Sequence, residues 1–165
     1  VSVLPILTWP DARLATSCAI VDDPATVETL VRDLFETMYD APGRGLAAPQ
    51  VGVLDRVFVM DAGWKDGEMT PRACINPEIV AASGTFARHD EGCLSIPGIA
   101  VPVARPDRVT LRYTGIDGVR HEVDLAGAEA LVAQHELDHL DGIVTFDRTD
   151  PALRDDLIAR FRAAR

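Results

Sequence analysis

The sequence predicts an α+β fold, in which helices and strands fall in separate runs instead of alternating along the chain. Three observations carry this reading. An amphipathic helical run lies in the first quarter, short β-rich segments fill the middle, and two further helical runs close the chain. A length of 165 residues fits one domain spanning 1–165, with room for a core but not for two.

Asp23-Pro24 opens the first helix, in which Val27, Leu30, Val31, Leu34 and Met38 recur at helical spacing until Pro42-Gly43 stops it. Val57-Phe58-Val59-Met60 and Ile79-Val80-Ala81 read as short strands. The segments around Val109-Leu111-Tyr113 and Val119-His121-Val123 form a hairpin about Asp117-Gly118, because that dipeptide tolerates the positive φ of a tight turn. A second helix is expected where Ala128, Leu131, Val132 and Leu140 repeat at helical spacing, with Asp124 as its cap and Asp141-Gly142 as its stop. The last helix follows Asp150-Pro151 and presents Leu153, Leu157, Ile158 and Phe161 on one face.

That second helix contains His135-Glu136-Leu137-Asp138-His139. HExxH on a helix sets two imidazoles one turn apart on one face, with a carboxylate beside them. The histidines can hold a divalent metal. Glu136 is rotated about 100° around the helix from His135, so it reaches a water at the metal instead of the metal itself. The chemistry implied is hydrolysis.

A catalytic site of this type needs a third protein ligand. No Glu or His follows His139, which closes the metalloprotease pattern with a downstream glutamate. The extended pattern HExxHxxGxxH has Gly142 in place but Thr145 where the third histidine would stand. Asp141 and Asp147 fit a turn, and Asp150 reads as a cap. The ligand therefore lies upstream, and Cys93 is the strongest candidate, in a segment whose Gly92 and Gly98 allow close backbone approach. His89, four residues earlier, stays open as an alternative; His121 reads as a strand surface residue, and Cys18 and Cys74 as buried thiols.

Asp and Glu number 26 against 16 Lys and Arg, and the net charge of −10 argues against a general affinity for DNA or anionic membranes. No apolar run approaches the roughly 18 residues of a membrane span. The N-terminus shows no basic segment followed by an apolar stretch, so a cytoplasmic location is expected. Three cysteines, one of them assigned to metal, give no disulfide framework.

Three segments taken together, Gly43-Arg44-Gly45-Leu46-Ala47-Ala48-Pro49-Gln50, Glu91-Gly92-Cys93-Leu94-Ser95 and Gln134-His135-Glu136-Leu137-Asp138-His139, resemble the peptide deformylase family. The likeness extends from Leu14 through Ile75-Asn76-Pro77 to Phe146-Asp147-Arg148. It implies small antiparallel sheets packed around a central helix carrying HExxH, with a C-terminal helix and the cysteine brought in from a loop. It implies release of formate from N-formylmethionyl peptides of nascent proteins. One divalent metal, Fe2+ first and Zn2+ second, would be held by Cys93, His135 and His139. Glu136 would be the general base, and Gln50 with the Leu94 backbone N–H would hold the oxyanion. Gly45, Gly92, Leu131 and Val132 would line the substrate pocket. A formylated peptide is then the expected partner. A weak ribosome association through Arg154, Arg160, Arg162 and Arg165 is the most the last helix suggests, since Asp155 and Asp156 dilute that patch.

The chain also departs from the family pattern. Arg44 stands where the family has a small or branched apolar pocket residue, His89 where it has an apolar or aromatic one, and Ala100 where an arginine is common, although Arg105 remains. An unpaired guanidinium inside a methionine pocket is costly. Either Arg44 turns outward with His89 at the rim, or the pair selects a different formylated amine with an acidic side chain. A catalytically silent metal-binding module is a further alternative, against which Glu136 and Gln50 argue.

Overall fold

The computed structural model describes residues 1–165. Helix α1 spans Glu28–Asp40, followed by strands β1 (Gly45–Ala47), β2 (Val57–Met60), β3 (Arg72–Ala82), β4 (Phe86–Cys93), β5 (Ile96–Pro106), β6 (Arg108–Thr114) and β7 (Arg120–Ala126). Helices α2 (Gly127–Leu140) and α3 (Pro151–Ala163) complete the chain. The strands form a five-stranded antiparallel sheet of order β1-β2-β3-β6-β7 and a separate β4-β5 hairpin.

Strand β2 explains how the helices are placed. All four of its residues are buried, so the apolar run Val57-Phe58-Val59-Met60 serves both faces of the sheet. Val57 and Val59 join Val31, Leu34 and Met38 of α1 in one cluster. Phe58 and Met60 join Ala130, Ala133 and Leu140 of α2 in another. A third cluster fastens α3, through Leu157 and Phe161, to Ile96, Val101 and Val103 of β5. Helix α2 thus lies between the large sheet and the β4-β5 hairpin, the central position that the family resemblance implied. No helix is long and apolar enough to cross a membrane.

Four local expectations are corrected. Ile79-Val80-Ala81 is part of an 11-residue strand, interrupted by register shifts and by Asn76 at φ 49°. Asn76 holds that conformation because its side chain bonds both the N–H and the carbonyl of Val21, at 2.9 and 2.8 Å. Asp124 does not cap α2. Strand β7 continues to Ala126, Asp124 accepts a hydrogen bond from Thr110 Oγ1 at 2.7 Å across the ladder, and Gly127 at φ 59° makes the corner into the helix. The predicted stop holds: Gly142 has φ 74°, and a Cβ there would meet the Ala15 carbonyl at 2.8 Å. Cys93 comes from no loop but from the end of β4, paired with Ile96 across the tight turn Leu94-Ser95. Finally, the first helix begins as a 3-10 turn at Pro24–Val27, with the Asp23 side chain capping Ala25 N–H, before α1 proper.

Candidate active site

The tight turn after β4 and the middle of α2 bring Cys93, His135 and His139 together, with all three potential ligand atoms within 4.8 Å of one another. His135 Nε2 lies 3.2 Å from His139 Nε2, and Cys93 Sγ lies 3.5 Å from His139 Nε2. In a tetrahedral site with ordinary metal–nitrogen and metal–sulfur bonds, the corresponding separations are about 3.3 and 3.6 Å. The donor set therefore fits one divalent ion with a position left open. His135 Nδ1 pairs with Glu91 Oε1 at 2.9 Å, which fixes the ring and leaves Nε2 to face the cluster. His89 is not in this group; it stands exposed on β4.

Behind the cluster runs a chain of ion pairs. Arg105, 5% exposed, binds Glu91 through Nε at 2.6 Å and Nη2 at 3.0 Å, and Asp138 through Nη1 at 2.9 Å. Arg148 holds the same Asp138 at 3.1 and 2.9 Å. Burial alone would raise Glu91, but hydrogen bonds from His135 and Arg105 bring it from 4.5 down to about 2. It is therefore ionised at neutral pH and oriented from both sides.

Glu136 is 4% exposed and its Oε1 has no hydrogen-bond partner. Burial pushes its carboxyl up to about 7, against the pull of His135. A buried carboxylate oxygen left open beside a ligand cluster is in the state a general base requires. Gly45 is what makes room for it: a Cβ there would lie 2.7 Å from Glu136 Oε2 and 2.8 Å from Val132 Cγ1.

Gln50 is fixed by the backbone at one end of its amide and faces the cluster at the other. Pro49 stiffens the 3-10 turn Ala48–Val51, and Gln50 Oε1 accepts from Ala47 N–H at 3.0 Å. Its Nε2 then lies 3.1 Å from Ser95 Oγ and 3.8 Å from Cys93 Sγ. Leu94 sits in the turn between Cys93 and Ser95, its side chain against Gly43, where a Cβ would meet Leu94 Cδ1 at 2.7 Å.

A cavity of about 710 Å³ opens over these groups, lined by Gly45, Gln50, Gly92, Cys93, Leu94, Leu131, Val132, His135 and Glu136. His139 lies behind them, 1% exposed. Arg44 and His89 also line the cavity, but both are solvent-exposed and stand at its mouth. The guanidinium of Arg44 is not desolvated; its side chain is 42% exposed, with Asp66 at 3.9 Å. Sequence reasoning missed Ser95, Glu91 and Asp138. The acidic residue inside the HExxH helix turn was the available signal, since Asp138 is buried there with two arginines.

A polypeptide deformylase family model matches residues 3–155. The peptide deformylase of Afipia carboxidovorans is 43% identical over 164 residues, covering 99% of this chain and 96% of that protein. That of Stenotrophomonas maltophilia is 45% identical over 159 residues, covering 93% and 91%. Among solved structures, peptide deformylase from Ehrlichia chaffeensis in complex with actinonin matches with a TM-score of 0.92 at 36% identity, over 99% of this chain and 98% of that one. The Thermotoga maritima peptide deformylase matches with a TM-score of 0.84 at 38% identity, over 90% and 98%. Agreement of sequence and fold across nearly the full length, around a Cys-His-His cluster with its glutamate, means that the chain belongs to the polypeptide deformylase family.

Proposed function

We propose that this chain is a metal-dependent hydrolase that removes the formyl group, as formate, from N-formylmethionyl peptides. The observation that carries the reading is the convergence of Cys93, His135 and His139 beside a buried Glu136 with an unpartnered carboxylate oxygen. When bound by those three side chains, a divalent metal supplies a Lewis acid for the formyl oxygen and acidifies water for attack. Glu136 takes the proton of the attacking water and later delivers it to the departing amine as the C–N bond breaks. Gln50 Nε2 and the Leu94 N–H hold the oxyanion; both sit in turns that are fixed before substrate arrives. Leu131 and Val132 give the cavity an apolar wall for the methionine side chain, and the edge strand β1 offers its backbone at Gly45 to an extended peptide.

A thiolate and two imidazoles suit Fe2+ and Zn2+ alike, and we favour iron on the family resemblance. Metal analysis of anaerobically purified protein, with the rate of inactivation in air, tests that choice. Ligands drawn from both the hairpin and α2 support reading 1–165 as one catalytic domain. Nascent formylated chains are a cytoplasmic substrate, so this reading carries a cytoplasmic localisation with it. Ribosome association through α3 is weak at most, because Arg154 faces Asp147 at 3.4 Å and Arg165 donates to the Pro97 carbonyl at 2.7 Å. Cosedimentation at physiological salt tests it.

The function is tested by formate release from formyl-Met-Ala and formyl-Glu-Ala. Formyl-Met-Ala should be strongly preferred, and Glu136→Gln should lower kcat by about 10²–10⁴. Equal or greater turnover of formyl-Glu-Ala would overturn methionine as the natural first residue.

A further inference from the structure

We infer that the mouth of the cavity selects for an acidic side chain in the two residues that follow the formylated one, through Arg44 and Lys65. This rests on the deformylase reading above and adds a substrate class to it. Both cations line the cavity, although the chain as a whole carries a net charge of −10. Two positive charges gathered at the entrance of an otherwise acidic protein create a local field for anions.

The two are held there by a dedicated set of contacts. Asp61 N–H donates to the Arg44 carbonyl at 2.9 Å, which fixes the backbone that carries Arg44. The Asp61 carboxylate in turn accepts from Tyr39 Oη at 2.5 Å and Thr70 N–H at 2.9 Å, pinning both ends of the segment from 61 to 70. Trp64 Nε1 donates to the Gly43 carbonyl at 2.8 Å, and its ring meets Tyr39 edge to face at 5.2 Å. Lys65 follows directly, with Nζ 5.9 Å from the centre of the Trp64 ring.

Their charges are also largely unused within the protein. Asp66, 74% exposed, is the one carboxylate paired with Arg44, at 3.9 Å, and Lys65 has no ion-pair partner. Across the cavity, Glu91 is committed to Arg105 and His135, and Asp90 is exposed on the β4 wall. An acidic side chain therefore gains on the Arg44 side of the mouth and not on the β4 side. It gains nothing at the first position, where Leu131 and Val132 form the wall. Exposed pairs are weak, so the two cations together should give a preference of about three- to tenfold.

The test uses C-terminally amidated peptides, which carry no terminal carboxylate: formyl-Met-Ala-Ala, formyl-Met-Glu-Ala, formyl-Met-Ala-Glu and the two lysine counterparts. At low salt, kcat/KM should favour at least one glutamate peptide over its lysine counterpart by about three- to tenfold. The preference should shrink in about 0.5 M salt. It should fall to about onefold in the Arg44→Ala/Lys65→Ala double variant and rise in Asp66→Asn, which removes the competing carboxylate while keeping both cations. Cleavage of formyl-Met-Ala-Ala with no preference for glutamate at either position, or a preference that survives the double variant, overturns the inference and leaves the deformylase reading standing. Absence of formate from every peptide overturns the deformylase reading and the inference with it.

Discussion

Two arginines near one cavity, Arg105 buried behind the ligand cluster and Arg44 at the mouth, are treated in opposite ways. Arg105 is buried, donates three hydrogen bonds of 3.0 Å or less to Glu91 and Asp138, and through Glu91 orients a histidine of the candidate metal cluster. Arg44 is exposed and reaches its one carboxylate neighbour only at 3.9 Å. Reacting atoms must be held to fractions of an ångström, so Glu91, Asp138 and His135 at the inner end are fastened before substrate binds. A mouth that receives many different peptide chains gains more from charge in solvent, where different partners can be met without rebuilding the wall.

If that contrast is right, replacing each arginine should give very different stability changes. Arg105→Leu leaves the buried Glu91 with His135 alone and weakens the hold on Asp138, and should cost about 3–5 kcal/mol in urea unfolding. Arg44→Ala should stay within about 0.5 kcal/mol. Similar values for the two would break the comparison. Next in size, Gln50→Ala should lower kcat/KM by about 10²–10³ as a fixed donor is lost, and should also cost about 1–3 kcal/mol of stability because the buried Ala47 N–H loses its acceptor. A smaller and more gradual effect concerns pH. The Glu91 carboxyl is depressed from 4.5 to about 2, so its contribution is complete above pH 4.5 and is lost as pH falls toward 2. The stability advantage of the wild type over Glu91→Gln should therefore shrink by about 2 kcal/mol across that window, read from urea midpoints.

What the sequence made legible were features with short-range signatures. The HExxH spacing is one helical turn, the Asp117-Gly118 turn advertises its positive φ, and the wholly apolar Val57–Met60 run marks a strand covered on both faces. The β4-β5 hairpin was hidden because Gly92, Pro97, Gly98 and Pro102 look like loop residues, whereas the strands accommodate them with a register shift and a tight turn. The cap expected at Asp124 failed because β7 runs three residues past Val123, to Ala126. The supporting ion pairs had no local signature. Arg105 finds Glu91 14 residues away through the pairing of β4 with β5, and Asp138 33 residues away through the packing of α2 against the hairpin.

Arg148 gives the site a longer reach than its cavity. Its side chain is 46% exposed, yet it connects through Asp138, Arg105 and Glu91 to His135 Nδ1, four bonded steps from the outer surface to a ring of the cluster. Ranking positions by their distance from bound substrate would pass over Arg148, although hydrogen-bonded ion pairs join it to the histidine. For this fold, the polar network of the candidate site extends past the cavity lining to a half-exposed side chain.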